Sequence, residues 1–170
     1  MQLSTLTLST SMNAPAFKRS VMNPESSVQA AAILQGVLPT LVDLAVQLKQ
    51  AHWNVIGTHF RTVHLQLDEI IDTARTAGDE VAERIATLGV AADGRSSTAA
   101  RESRLKAYPE GFCRDDQTLE LVAVALHDCV RTMREAIENV GDIDPVSEDL
   151  LIGFSAELEK HLWMVQAQQK

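Results

Sequence analysis

Two pairs of potential metal ligands lie in residues 61–88, a segment whose apolar residues recur at helical spacing. His64 and Asp68 are four residues apart, as are Asp79 and Glu83, and this spacing puts each pair on one face of a helix. At about 100° per residue, Asp79 lies about 20° and Glu83 about 60° from Asp68, with His64 about 40° to the other side. Imidazole and carboxylate groups together suit Fe(II), Mn or Zn. The spacing therefore indicates a stripe of potential ligands along this helix.

The two pairs are too far apart to form one site within a single chain. If the helix continues through Gly78, the rise of about 1.5 Å per residue separates Asp68 from Asp79 by about 16 Å. A two-fold axis near residues 73–74 would bring each pair against the other pair of a second copy, because residue i meets j and j meets i in an isologous dimer. The alternative is a plain solvated face, since the helix carries further residues that can form i,i+4 pairs: Glu69, Asp72, Glu80 and Arg84. The spacing alone leaves both interpretations open.

Several other kinds of site are excluded by the sequence. It contains no glycine-rich phosphate loop, no G-x-S-x-G, no H-E-x-x-H and no zinc-type cysteine cluster. None of the five histidines has a glutamate three positions before it, so the E-x-x-H pair of ordinary di-iron bundles is missing as well. His59, His127 and His161 have no comparable neighbours, and we predict surface or core positions for them rather than ligand roles.

Four long amphipathic segments must position these residues. Apolar residues recur at helical spacing over residues 27–55, 61–88, 116–139 and 145–166, the last beginning at Pro145 or Ser147, and a short helical candidate covers residues 98–104. Pro39 predicts a kink or a late start in the first segment. The low aromatic content, 4%, favours helices over a β-sandwich. The pattern predicts an all-α four-helix bundle with a short extra helix in its second connection.

The formal net charge of −8 attracts cations and repels nucleic acid, unless a local basic patch or tail is present. Residues 1–26 are rich in serine and threonine, and their basic residues are Lys18 and Arg19. We predict a flexible tail over residues 1–26, followed by a single bundle domain over residues 27–170. The alternative for the tail is a short packed arm, held by its leucines: Leu3, Leu6 and Leu8.

The sequence favours a cytoplasmic protein. No stretch approaches the 18 apolar residues of a membrane span, and the N-terminus lacks the charged and apolar regions of a signal peptide. The two cysteines, Cys113 and Cys129, form neither a C-x-x-C pair nor a disulfide framework, so we predict free thiols.

A longer motif, H-W-N-x-x-G-x-x-F-x-x-x-H-x-x-x-D, runs from His52 to Asp68. It continues in the same order through Asp79, Ala82-Glu83-Arg84 and Leu88-Gly89, and in the last helix through Ser147, Asp149-Leu150 and Lys160-His161-Leu162-Trp163. These residues resemble the Dps family, the ferritin-like mini-ferritins that protect DNA in starved bacteria. The resemblance covers residues 28–167 and implies a ferritin-like bundle.

The resemblance implies a hollow 12-mer with a di-iron ferroxidase centre at each two-fold interface. His52, His64 and Asp68 of one subunit and Asp79 and Glu83 of its two-fold mate would then hold the iron. Such a centre oxidises Fe(II), preferably with hydrogen peroxide, and the Fe(III) mineralises inside the cavity. The predicted protein is thus an enzyme and an iron store that limits oxidative damage to DNA.

The resemblance also assigns roles outside the ligand set. Trp53, beside His52, would donate an electron to stray oxidants, and the alternative is simple packing at the interface. Asp149 matches the acidic pores through which iron enters, with Asp144 and Asp142 as further candidates. The alternative for these acids is to complement the dipole of the last helix.

The sequence of the tail does not decide whether this protein binds DNA. Family members that coat DNA carry several lysines or arginines on a mobile terminus, whereas this chain has Lys18 and Arg19 near one end and Lys170 at the other. Twelve copies of a weakly basic tail would still give avidity for non-specific DNA. The alternative function is therefore a nucleoid-coating protein for which iron chemistry is secondary.

Overall fold

The computed structural model describes residues 17–169, so most of the predicted tail, residues 1–16, lies outside the described part of the chain. The described residues form α1 (Pro24–Asn54), β1 (Val55–Ile56), α2 (Phe60–Thr87), α3 (Ser96–Glu102), β2 (Cys113–Arg114), α4 (Asp115–Val140) and α5 (Pro145–Gln166). The four long helices and the short helix between the second and third long helices confirm the predicted all-α architecture.

The four long helices form a bundle in which α1 packs against α2 and α4, while α5 packs against α4 and α2. Their apolar stripes meet in one core, whose largest fully buried side chains include Leu34, Leu41, Ile70, Ile85, Leu126, Met133 and Leu151. Burying one such side chain contributes about 1.5–3 kcal/mol. The core therefore holds α1 and α2 side by side and fixes the faces they turn outward.

The first helix begins at Pro24, three residues before the predicted start at residue 27. The Oδ1 atom of Asn23 accepts a hydrogen bond from the backbone N–H of Ser26 at 2.8 Å, which satisfies an N-terminal donor of the helix. Pro24 occupies the first turn, where its missing N–H costs nothing. Pro39 lies within the helix and is buried, so the predicted late start after this proline is wrong.

The second helix is continuous from Phe60 to Thr87, as the ligand stripe requires. Gly78 is buried in its middle, and a Cβ atom built on it would lie 3.9 Å from the Cβ atom of Leu41 in α1. This is an ordinary van der Waals distance, so the packing of α1 against α2 leaves room for a side chain as small as that of alanine at this position. Glycine here carries its usual cost of about 1 kcal/mol relative to alanine in a helix, and the helix continues through it.

The connection between α2 and α4 contains more structure than the sequence predicted. The short helix α3 covers Ser96–Glu102, close to the predicted residues 98–104. The strands β1 and β2 pair in parallel, with Val55 opposite Cys113 and Ile56 opposite Arg114. This pairing ties the turn between α1 and α2 to the start of α4.

Both cysteines are free and buried, as predicted for thiols without a disulfide framework. Burial raises the pKa of the Cys129 thiol, which keeps it protonated. A protonated, buried thiol is a poor nucleophile, so Cys129 acts as a small apolar residue of the core.

One of the three acidic residues predicted to line a pore near the start of α5 is buried. Asp144 precedes the helix and is buried, with its Oδ2 atom 2.7 Å from an Nη atom of Arg84 in α2. Oδ2 also accepts a hydrogen bond from the hydroxyl of Ser147. The carboxylate of Asp144 is thus committed to a buried ion pair, and the prediction that it lines a pore has to be corrected. Asp149 and Asp142 are exposed.

Among the described residues, α1 is long and apolar enough to cross a membrane, with a mean hydropathy of 1.6 over its most apolar stretch. Of that stretch, 56% is buried inside the bundle. A helix that is apolar on most sides and packed between two others is typical of a bundle core. The hydropathy of α1 therefore follows from its central position.

Candidate metal centre

Three predicted ligands meet where α1 ends and α2 begins. His52 lies in the last turn of α1, and His64 and Asp68 occupy successive turns at the start of α2. One potential ligand atom from each side chain lies within 4.8 Å of the other two. Since α1 and α2 pack side by side, the five-residue break between them brings His52 against a ligand pair that the spacing within α2 had already put on one face.

The two histidines hold each other in place through reciprocal hydrogen bonds. Nδ1 of His52 lies 3.0 Å from the backbone carbonyl of His64, and Nδ1 of His64 lies 2.9 Å from the backbone carbonyl of His52. A carbonyl oxygen can only accept, so each Nδ1 carries the proton and donates it. In its neutral form, each ring therefore keeps its lone pair on Nε2, and imidazole binds a metal ion through such a lone pair.

Aromatic contacts add to this positioning. The rings of His52 and His64 stack with their centroids 3.6 Å apart and an interplanar angle of 23°. The ring of Phe60 packs against His64 at a centroid distance of 5.0 Å. The side chain of His52 is only 8% exposed, whereas that of Asp68 is 44% exposed. The group is therefore anchored on the α1 side and open to solvent on the α2 side.

Asp68 is the charged member of the group. Its Oδ1 atom accepts a hydrogen bond from Nζ of Lys49 at 2.7 Å and lies 3.3 Å from Nδ1 of His52. The hydrogen bond from Lys49 lowers the pKa of the Asp68 carboxyl, and this outweighs the opposite effect of its partial burial. The carboxylate is therefore ionised at neutral pH, as a ligand of a divalent cation must be.

Replacing Lys49 with methionine should strengthen binding of a divalent cation about fivefold. The ammonium group lies against Asp68 and would repel an incoming cation, but the pair is partly exposed and solvent screens it. Co(II) titration followed by visible absorbance would measure the change. Lys49→Arg keeps the positive charge and serves as the matched control, and equal affinities in the two variants would contradict this role of Lys49.

Asp79 and Glu83 do not join the group within one chain. Both are exposed on α2, further along the same helix from Asp68, and the described part of the chain brings no histidine or cysteine together with them into a ligand cluster. Glu83 and Asp149 instead line a surface cleft of about 310 Å³ between α2 and the start of α5. The chain thus presents a three-residue group at one end of the stripe and two exposed carboxylates at the other.

The remaining sequence candidates lie around these positions. Trp53 follows His52 and is 65% exposed, so its indole is available both to solvent and to a second protein surface. His59 and His127 are exposed, as predicted, and His161 is half-buried with Nε2 3.0 Å from the hydroxyl of Thr73. None of the three lies in the ligand group.

Two residues near the group were not predicted from the sequence. Lys49 precedes His52 by three positions, and this spacing on one helix face was a signal that could have identified it. Asp115 bonds to His59 from 56 residues away, and no local pattern indicates such a contact.

Comparisons with known proteins identify the family of this chain. The ferritin-like domain model matches residues 31–170. The chain is 37% identical over 148 residues to the "DNA protection during starvation protein" of Mycolicibacterium smegmatis, covering 86% of this chain and 80% of that one. It is also 40% identical over 137 residues to the "fine tangled pili major subunit" of Haemophilus ducreyi, covering 81% and 72% of the two chains.

A solved structure extends the likeness to three dimensions. DpsA14 from Streptomyces coelicolor superimposes with a TM-score of 0.84 at 37% identity, covering 91% of this chain and 94% of the other. The ferritin-like match over residues 31–170 includes His52, His64 and Asp68. This chain belongs to the Dps family of ferritin-like proteins.

Proposed function

We propose that this protein is a ferroxidase and iron store. Two Fe(II) ions would each give one electron to hydrogen peroxide, which takes up two protons and becomes two water molecules. Because both electrons are transferred together, no hydroxyl radical is released. The observation that carries the proposal is the group of His52, His64 and Asp68, whose ligand atoms lie within 4.8 Å of one another.

The donor set fits Fe(II) as a substrate. Two Nε2 lone pairs and an ionised carboxylate form a mixed nitrogen and oxygen set, which suits a divalent metal of intermediate softness. Three ligands leave coordination positions open for further carboxylates and for the oxidant. The reciprocal hydrogen bonds between His52 and His64 keep both Nε2 atoms available without any movement of the helices.

The proposed site is completed by a second copy of the chain. Asp79 and Glu83 are exposed on the face of α2 that carries His64 and Asp68, as a two-fold pairing of α2 helices requires. Large apolar side chains are exposed around the three-residue group: Trp53, Ile56, Phe60 and Leu65. Such a patch is typical of a surface that another protein covers. Pairing would therefore bury this patch and bring five ligands together.

Membership of the Dps family supports an assembly larger than a dimer. We propose a cytoplasmic 12-mer with the mineral inside its cavity and Trp53 as a donor of electrons to stray oxidants. Asp149 is exposed beside Glu80 and Glu83 in one cleft, which supports a path for cations from a pore lined by Asp149 towards the proposed site. Asp144 has no part in this path, because it is paired with Arg84.

The proposal is tested by adding Fe(II) to the protein without oxygen and then adding hydrogen peroxide. We expect rapid formation of Fe(III), with about two Fe(II) consumed per peroxide, on a particle of roughly 220 kDa, which is twelve times the 18.6 kDa chain. Fe(III) absorbance and size-exclusion mass are the measurements. A rate equal to that of Fe(II) and peroxide without protein would contradict the proposal.

A second candidate function is coating of the nucleoid through non-specific DNA binding. Lys18 and Arg19 are exposed ahead of α1, and a relative carries DNA protection in its name. The same preparations would show salt-dependent retardation of DNA that is lost when residues 1–22 are deleted. If deletion leaves both retardation and iron oxidation unchanged, the tail is not the DNA-binding element.

A further inference from the structure

The first turn of α2 is capped by a carboxylate from another helix. His59 immediately precedes α2, and its own side chain makes no capping bond. Instead, Oδ2 of Asp115 accepts a hydrogen bond from the backbone N–H of His59 at 2.7 Å and lies 3.2 Å from its Nδ1. Oδ1 of Asp115 accepts from the N–H of Asp116 at 3.1 Å, within α4. One carboxylate thus accepts backbone hydrogen bonds at the N-termini of two helices, where the helix dipoles favour a negative charge.

The same carboxylate lies directly against the turn between α1 and α2. Asp115 is only 4% exposed. Gly57 has a φ of +135°, and a Cβ atom on this residue would overlap with the carboxylate of Asp115. The parallel pairing of Val55 with Cys113 fixes the other end of the turn to the residues just before Asp115. Residues 55–59 are therefore held on the start of α4 by a strand pairing, a close contact and a charge-assisted hydrogen bond.

This turn sets the separation of the two histidines. His52 lies three residues before β1, and His64 lies five residues after His59. Their reciprocal hydrogen bonds, at 3.0 and 2.9 Å, require the last turn of α1 and the first turn of α2 to keep one spacing. A shift of α2 along its axis by about one residue, roughly 1.5 Å, would break both hydrogen bonds. Neither imidazole ring would then be held with its proton on Nδ1.

We infer that Asp115 is a positioning residue for the metal-binding group of His52, His64 and Asp68, acting through the turn at residues 55–59. Its carboxylate holds the N-terminus of α2 at the spacing that the reciprocal hydrogen bonds between His52 and His64 require. The inference deepens the proposed function and rests on it for the identity of the metal as iron. The positioning itself is a property of the chain and can be measured with another divalent metal.

The test is a Co(II) titration of Asp115→Ala and of Asp116→Ala, read from the visible absorbance of the bound ion. Asp116 is the matched control, since its side chain is 75% exposed in the same first turn of α4. We expect about tenfold weaker binding and an altered spectrum for Asp115→Ala, as is usual when a group that orients a metal ligand is removed. Asp116→Ala should behave as the wild-type protein.

Two further variants separate positioning from general damage to the fold. Asp115→Asn keeps an oxygen that can accept from His59, so it should recover most of the affinity and the wild-type spectrum. Gly57→Ala leaves Asp115 in place but pushes a methyl group into its carboxylate, so it should weaken Co(II) binding as Asp115→Ala does. Circular dichroism and size-exclusion mass identify which variants keep the fold and assembly. Wild-type affinity and spectrum in a folded Asp115→Ala or Gly57→Ala protein would overturn the inference.

The outcomes distinguish this inference from the proposed function. If wild-type protein fails to accelerate Fe(II) oxidation but Asp115→Ala still loses Co(II) affinity, the ferroxidase proposal is wrong and the positioning role stands. If the wild-type protein oxidises Fe(II) rapidly and folded Asp115→Ala binds Co(II) normally, the ferroxidase proposal stands and the positioning role is wrong.

Discussion

Two inactive variants of this protein should regain about a quarter of the wild-type rate of Fe(II) oxidation when they are produced together in equal amounts. The first variant is His52→Ala, which damages the three-residue group. The second is Asp79→Ala/Glu83→Ala, which removes the two exposed carboxylates. Each variant alone has every proposed two-fold site damaged, and we expect at least about a 100-fold loss of rate from each.

The recovery follows from the symmetry of a shared site. Random assembly makes half of the two-fold pairs mixed, and each mixed pair combines the intact group of one subunit with the intact carboxylates of the other at one of its two sites. About a quarter of all sites would then be complete. The measurement is the initial rate of peroxide-dependent Fe(III) formation by particles that carry two different affinity tags.

The matched control is co-production of His52→Ala with Asp68→Ala. Both changes lie in the same three-residue group, which is damaged in every subunit, so no combination completes a site and the rate should stay at the level of each variant alone. Failure of the first mixture to recover would show that Asp79 and Glu83 do not complete the site across a two-fold interface. Recovery in the control mixture would also contradict the shared arrangement.

Removing the carboxylate of Asp144 should destabilise the protein by about 3 kcal/mol. Asp144 and Arg84 form a buried ion pair, with side chains 4% and 14% exposed, and Asp144→Ala leaves the guanidinium without its carboxylate partner. An unpaired buried charge costs more than the net gain from the pair, so the loss exceeds that of a surface ion pair. For a domain of this size, the change corresponds to a fall in the unfolding temperature of roughly 8 °C. Thermal unfolding at pH 7 measures it.

The contribution of Asp144 should disappear in acid. Burial alone would raise the pKa of this carboxyl, but the hydrogen bond from Ser147 and the pairing with Arg84 outweigh burial and lower the pKa. A carboxyl whose pKa is lower in the folded state stabilises the fold above its unfolded pKa of about 3.9 and loses that contribution as the pH falls through its folded pKa. The difference between wild type and Asp144→Asn should therefore be largest near neutral pH and shrink below about pH 4.

The control for this prediction is Asp142→Asn. Asp142 lies two residues before Asp144 but is exposed. Its replacement should therefore leave the unfolding temperature nearly unchanged, both at neutral pH and below about pH 4. A difference between wild type and Asp144→Asn that persists at low pH would mean that Asp144 acts through its shape rather than its charge.

The helices and part of the site were determined by local sequence. The apolar residues of α2 recur with the period of a helix, so its face and its length could be predicted from residues 61–88. The pairs His64 and Asp68, and Asp79 and Glu83, follow from the same period, because residues four apart share a face whatever the helix packs against. His52 was assigned through a motif, since no period links it to α2.

Other features were decided by the tertiary structure. The capping of α2 by Asp115 and the ion pair of Arg84 with Asp144 join residues 56 and 60 positions apart. The pairing of β1 with β2 is of the same kind, because two-residue strands carry no pattern of their own. Such contacts exist only after the bundle has brought distant segments together. The direction of Lys49 towards Asp68 likewise depends on the packing of α1 against α2.

The sequence by itself therefore determined which residue types lie on one face of α2, because that depends on backbone geometry over a few turns. The tertiary structure decided that the two imidazole rings stack, that each presents Nε2, and that Asp144 is paired rather than free. These properties depend on distances between helices, which arise from the packing of the whole core rather than from any local stretch.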